Sequence, residues 1–214
     1  MDPYFDRSEV SNSDLSWLKN QLFPRDMPDP TRAYRFGSLI DAMITEPFLV
    51  NFFTRTMNGY QFPVDEFTLA VEMKKAFLAD EFCRDFIEKS EPQKVMSRKL
   101  NFDYNGYEFA LPVRCKWDIW RGTMGGDIKS TVATTQSQFM DAIKYFDYDR
   151  QRAWYMDIAG SKVDVLIGIS KVNLRIFKVF IKRDSDLYKE GHDKYLNLAF
   201  RWHLMFGENK PSKS

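Results

Sequence analysis

Cysteine and histidine are nearly absent: the 214 residues include only Cys83, Cys115, His192 and His203. Two cysteines exclude a disulfide framework. No segment reaches the roughly 18 consecutive apolar residues of a membrane helix, because charges interrupt every run. The opening MDPYFDRSEV is acidic and lacks the basic and apolar stretches of a secretory signal. These absences predict a reduced, cytoplasmic protein with no membrane segment. Net charge is also scarce, at +1 from 31 Lys and Arg against 30 Asp and Glu. It is unevenly spread, since residues 161–214 hold eleven basic and six acidic side chains. A basic C-terminal part on a neutral chain points mildly to a polyanion, and on charge alone a solvated charged face is the plainer account.

Apolar material is plentiful. The chain is 44% hydrophobic, with 19 Phe, 10 Tyr and 5 Trp, which excludes disorder for most of it and suits one sizeable core. The expected organisation is a single domain over 1–214, helical over about 11–99, with a short polar tail at about 207–214. Ser11-Asn-Ser-Asp14 reads as a helix N-cap ahead of Leu15, Trp17, Leu18 and Leu22. Pro24, Pro28 and Pro30 mark a loop, LFPRDMPDPT. A second helix is expected from about Phe36 to Thr45, stopping before Pro47, and a third over 66–89. A break follows over Ser90–Ser97, around Pro92.

From residue 100 the period changes to two. Asn105-Gly106 is a strong hairpin signal. The strand after it sends Phe109, Leu111, Val113, Cys115, Trp117 and Ile119 to one face and Glu108, Arg114, Lys116 and Asp118 to the other. Pro112 predicts a bulge or an edge position. A glycine-rich turn over 121–126 leads into a returning strand, Asp127–Thr131. Helices near 136–146 and 149–159, strands at 163–169 and 174–181, and a helix over 186–206 complete the chain. The order predicts an α/β (α+β) layer arrangement, a small mixed sheet flanked by helices.

One constellation carries chemistry. Asp118 precedes Asp127 by nine residues, and strand parity puts Asp127 and Lys129 on one face with Ile128 on the other. A hairpin between them would bring both carboxylates together, a repulsive arrangement that a hard divalent cation relieves. Lys129 would supply a movable charge to orient or deprotonate water, or to steady a phosphate. The tripeptide itself is weak, since acid-x-Lys also occurs at Glu72-x-Lys74 and Glu208-x-Lys210. Only the middle copy has an earlier acid, a glycine turn and a strand. Lys129-Ser-Thr131 is no phosphate loop, because Ile128 stands where that motif needs glycine. His192 and His203 lack a Ser or Cys partner for a triad.

Val113-Arg-Cys-Lys-Trp-Asp118, Gly126-Asp127-Ile-Lys129-Ser-Thr131 and Gln151-Arg-Ala-Trp-Tyr155 together resemble the PD-(D/E)XK nuclease superfamily. The most similar branch is that of the phage and prophage exonucleases of the RecE and λ-exonuclease kind. Phe36-Gly-Ser-Leu-Ile-Asp41-Ala-Met-Ile-Thr-Glu46-Pro47 is similar to the branch's first motif helix, and the closing helix with Gly191, Tyr195 and Trp202 is similar in kind. The resemblance implies a restriction-endonuclease-like core and a Mg²⁺- or Mn²⁺-dependent deoxyribonuclease acting on double-stranded DNA ends in recombination or repair. It further implies that Asp118, Asp127 and the Ile128 carbonyl hold the metal and that Lys129 is catalytic, with Gln151 and Tyr155 contacting substrate or bracing Lys129. Arg35 and Arg114 are candidate phosphate contacts, with packing or salt-bridge roles as the alternative. At Asp41 the branch commonly has a metal-binding His; either Asp41 ligates in its place or Glu46 takes over. Some related nucleases carry an iron–sulfur cluster held by four Cys, which two cysteines exclude. A single-strand annealing recombinase partner and a homo-oligomer are further implied possibilities. The alternative reading is a catalytically inactive member that keeps the fold and binds nucleic acid or assists recombination.

Overall fold

The computed structural model describes residues 4, 7–24 and 28–208. The expected tail therefore lies mostly outside the described residues, as do three residues of the LFPRDMPDPT loop. Seven helices and eight strands follow in order among the described residues: α1 (Asn12–Leu22), α2 (Thr31–Thr45), β1 (Val50–Asn51), β2 (Thr56–Met57), β3 (Tyr60–Gln61), α3 (Val64–Ala79), α4 (Glu81–Glu88), β4 (Glu91–Tyr104), β5 (Tyr107–Arg121), β6 (Met124–Thr131), α5 (Gln136–Tyr145), α6 (Tyr148–Ala159), β7 (Val163–Ser170), β8 (Ile176–Lys182) and α7 (Asp186–Phe206). No helix among them is long and apolar enough to cross a membrane.

Five strands form a mixed sheet in the order β4-β5-β6-β7-β8. The first three make an antiparallel meander, β6 and β7 run parallel through the α5–α6 crossover, and β8 returns antiparallel. Helices cover both faces. On one face α1, α5, α6 and α7 pack on Phe109, Val113, Cys115, Trp117 and Leu166. On the other, α2, α3 and α4 pack on Ile119, Ile128, Val165, Ile167 and Ile169. The mixed sheet between helical layers agrees with the expected α/β arrangement.

Local signals explain most termini. Ser11 caps α1 in a reciprocal box with Asp14. Asn105 and Gly106 both take positive φ, 53° and 84°, in the two-residue hairpin that sets the β4–β5 register. Four expectations change. Helix α2 begins at Thr31, five residues early. The helix expected over 66–89 is two, because Asp80 leaves helical geometry and its side chain caps the second by accepting from the Cys83 N–H. The expected break at Ser90–Ser97 is strand, since β4 starts at Glu91. It is the sheet's outer strand, so its half-buried Lys94 and exposed Arg98 and Lys99 blur the alternation and Pro92 is tolerated near its start. A small sheet, β1-β2-β3, was not foreseen.

The fourth change shapes the site. Ile119 does not share a face with Trp117; it packs in the opposite core beside Phe86. The switch falls at Asp118. The β4–β5 ladder pairs Pro92 with Ile119 and Lys94 with Trp117, skipping Gln93 and Asp118 between them, and Gln93 has φ 52°. On its other side β5 pairs with β6 only at Ile119–Arg121 and then parts from it. Further along, the freed edge of β5 is taken by Val10, whose N–H donates to the Pro112 carbonyl at 2.8 Å and whose carbonyl accepts from the Arg114 N–H at 2.9 Å. Pro112 makes no bulge: it stays in register with Lys99 of β4, on a stretch of β5 whose second edge carries the isolated Val10 bridge.

Candidate active site

The fork where β5 leaves β6 is the structural origin of the site. The Ile128 N–H faces the gap and donates to Asp118 Oδ2 at 2.8 Å, so a side chain stands where a backbone acceptor would be. This fixes Asp118 beside β6, which carries Asp127, Ile128 and Lys129 in alternation. Ile128 turns into the α2 core, and the other two face the α6 layer. Lys129 Nζ lies 2.5 Å from Asp127 Oδ2 and 5.0 Å above the Tyr148 ring at the start of α6. From the opposite layer α2 delivers Asp41. Its carboxylate accepts from Gln93 Nε2 at 3.0 and 3.3 Å and from Thr45 Oγ1 at 3.3 Å. The strained Gln93 therefore has a partner across the fork.

Arg152, not foreseen as part of the site, reaches it from below. Its side chain is wholly buried, with one terminal nitrogen 3.3 Å from Asp127 Oδ1 and the other 3.3 Å from Asp164 Oδ2 on β7. Its guanidinium lies 4.3 Å from the Tyr155 ring centre and 5.1 Å from that of Trp117. The sequence did hold a signal: a charged residue immediately before the apolar run Ala153-Trp-Tyr-Met156 of a buried helix. Glycines make room for the arrangement. A Cβ on Gly125 would lie 1.7 Å from the Trp117 ring, so only glycine lets that ring lie against β6.

Electrostatics describe the cluster more fully than distances. Asp41, Asp118, Asp127 and Asp164 act on one another and on two cations, Lys129 and Arg152. Counted with every group ionised, the four acids exceed the two bases by two charges, and the crowding is relieved by protons held on the acids. Burial, with Asp127 adding to it, raises the Asp41 carboxyl from its usual range to about 6. Burial, Asp41 and Asp127 push Asp118 well above the carboxylate range. Burial likewise raises Asp164 to about 7, against the pull of Arg152. For Lys129, burial favours loss of the proton, but Asp127 and Asp118 outweigh it and its pKa stands above the ordinary lysine value. It is an ammonium at neutral pH.

This donor set fits a hard divalent cation in its chemistry: oxygen ligands and a surplus of two negative charges. The side chains are otherwise engaged, Asp41 with Gln93, Asp118 with Ile128 and Asp127 with Lys129 and Arg152. As placed, no three His, Cys, Asp or Glu among the described residues stand close enough together to hold an ion.

The remaining candidates separate clearly. Gln151, one residue before Arg152, is half-buried, and its side chain makes no hydrogen bond among the described residues. Tyr155 is buried under Arg152 and against Trp117, which departs from a place at the substrate surface or against Lys129. Arg35 is exposed on α2, its guanidinium 4.5 Å over the Tyr60 ring. Arg114 departs from the expectation of a phosphate contact. It is 1% exposed, 3.5 Å from Asp14, and donates to the Arg7 carbonyl at 3.0 Å. The reason is that α1 and the Val10 bridge cover that face of β5. Glu46 caps the end of α2 and is not among the main charges acting on Asp41, Asp118 or Lys129.

No family model matches the sequence, and no curated protein matches it significantly. Solved structures of similar shape exist at low identity. A phage-related exonuclease from Haemophilus somnus 129PT has a TM-score of 0.43 and 13% identity, covering 91% of this chain and 94% of that one. LHK-Exo in complex with dAMP has a TM-score of 0.36 and 15% identity, covering 92% and 88%. The protein SSO0001 has a TM-score of 0.39 and 12% identity, covering 96% and 90%. Likenesses this distant carry no weight for activity, which has to be argued from the chain's own residues.

Proposed function

We propose that the chain is a Mg²⁺- or Mn²⁺-dependent deoxyribonuclease of the PD-(D/E)XK kind that hydrolyses phosphodiester bonds at double-stranded DNA ends. The observation that supports this best is the fork itself. Asp118 is pinned to the Ile128 N–H beside the Asp127–Lys129 pair, and the surrounding acids exceed the bases by two charges. Asp118, Asp127 and the Ile128 carbonyl would hold the cation, with Asp41 as the added acid from α2 in preference to Glu46. When bound, the cation would acidify water and offset charge on the phosphoryl oxygens.

The chain's own groups divide the remaining work. Lys129 is protonated at rest, so it acts as a donor: it orients the attacking water and steadies a non-bridging oxygen, and does not begin as the base. Its mobility is limited by Asp127 on one side and the Tyr148 ring on the other. Gln151, with an uncommitted amide at the start of α6, and Arg35, exposed on α2, are placed to bind backbone phosphates from the two layers. Asp127 and Asp164 are buried between the sheet and α6, which strengthens the charge interactions they make.

The test is digestion of linear duplex DNA by the purified protein with Mg²⁺ or Mn²⁺, comparing wild type with Lys129→Ala. Wild type should shorten the duplex from its ends, and the variant should lose at least about a hundredfold in rate. A wild type that leaves duplex, single-stranded DNA and RNA intact with either metal would refute the enzyme. Salt-dependent DNA binding without cleavage or metal binding would instead identify the inactive, nucleic-acid-binding alternative.

A further inference from the structure

We infer that Arg152 is a positioning residue, holding the Asp127 carboxylate in the orientation in which it meets the divalent cation and keeping it from closing wholly onto Lys129. The inference rests on the metal-dependent reading of the site. Asp127 is buried between two cations, Lys129 Nζ at one oxygen and the Arg152 guanidinium at the other. A carboxylate with only the lysine would be free to turn both oxygens towards it. Arg152 is placed to prevent that, and its own place is set twice over. Its second nitrogen is anchored by Asp164, whose Oδ1 in turn accepts the Val165 N–H at 2.7 Å. Its plane is set by the Tyr155 and Trp117 rings. The nitrogens make no aligned hydrogen bond, so charge and the shape of the slot do the holding.

A plainer role is available: Arg152 could merely neutralise Asp164, which is wholly buried on β7. The two roles predict opposite signs. If Arg152 acts only through its charge, removing a cation from the acid cluster should tighten binding of Mn²⁺. If it orients Asp127, removing it should weaken binding despite the more negative field. Leaving Asp164 buried without its cation risks unfolding, so the informative variant is Arg152→Met with Asp164→Asn. That pair removes one positive and one negative charge, leaves the net field unchanged and keeps similar volumes.

The experiment is calorimetric titration of Mn²⁺ into wild type, the double variant and Arg152→Lys. Far-ultraviolet circular dichroism and thermal midpoints establish folding, and steady-state digestion supplies kcat and KM. The expected result is a folded double variant that binds Mn²⁺ about tenfold or more weakly, as for residues that orient metal ligands. Its kcat should fall while KM for DNA holds, because phosphate contacts are untouched. Arg152→Lys should recover part of the affinity, since an ammonium keeps the charge but cannot span both acids in one plane. A folded double variant with wild-type Mn²⁺ affinity overturns the inference and leaves the site reading intact. Should the double variant not fold, Arg152→Lys decides: wild-type affinity there shows that charge suffices, which also overturns it. A wild type that binds no Mn²⁺ brings down the site reading and this inference together.

Discussion

Replacing Asp41 with asparagine should make the metal-free protein more stable. Asp41 has its carboxyl raised from 3.8 to about 6 by burial and by the neighbouring Asp127. Each unit corresponds to about 1.4 kcal/mol, so the fold prefers the protonated form by on the order of 3 kcal/mol. A carboxyl whose pKa is higher folded than unfolded stabilises the fold fully below the unfolded value. That contribution is lost as pH rises through the folded value. Metal-free wild type should therefore lose stability between about pH 4 and 7 from this group. Asp164, raised to about 7, acts with the same sign. Asparagine keeps the shape and an acceptor for Gln93 Nε2 but never ionises. At pH 8 in EDTA its thermal midpoint should exceed wild type by roughly 6–12 °C, taking about 2–4 °C per kcal/mol for a chain of this size. At pH 4 the two should nearly coincide. Added Mn²⁺ should reverse the order at pH 8, because the wild type holds the ion more tightly and ligand binding stabilises by mass action. Circular dichroism melts at the two pH values, with and without Mn²⁺, measure all of this. A variant no more stable than wild type at pH 8 in EDTA would show that Asp41 is not crowded by other acids.

Three further outcomes follow from the same geometry. Gly125→Ala should cost more than about 4 kcal/mol or prevent folding, because the new Cβ would lie 1.7 Å from the Trp117 ring; soluble yield and urea midpoints report it. Arg114→Ala should destabilise by about 3–5 kcal/mol by removing the buried cation beside Asp14, while leaving DNA affinity per folded molecule unchanged in a fluorescence anisotropy titration. Arg35→Ala should do the reverse, leaving the melting temperature in place while lowering the salt dependence of DNA binding by about one unit of slope.

Legibility in the sequence followed the clarity of each local signal. The later half could be read almost element by element because its helices and strands alternate, with Asn105-Gly106 fixing the meander. Asn58-Gly59 is the same dipeptide, also at positive φ, yet its flanking strands are two residues each and leave no period to detect. Strand β4 was hidden for a different reason: as the outer strand it wears charges on both faces. At the site, strand parity put Asp127 and Lys129 on one face and Ile128 on the other, and the structure has Ile128 in the α2 core and Lys129 beside Asp127. It could not foresee Arg152 or Gln93, which arrive from elements distant in sequence. Strict alternation also failed at Asp118, where an uninterrupted strand was assumed and the chain changes face. That failure coincides with the place where the Ile128 N–H donates to the Asp118 carboxylate.

The hydrogen bond from Ile128 to Asp118 has a bearing on how the site could change over time. An acid that also serves as a stitch between two strands is costly to exchange, because losing it opens the seam as well as removing a charge. Alanine there would confound a lost reaction with a loosened sheet, and asparagine, which still offers an acceptor to the Ile128 amide, is the substitution that separates them. Asp41 accepts from the side chains of Gln93 and Thr45 and from no strand amide, so exchanging it would leave the seam between β5 and β6 closed.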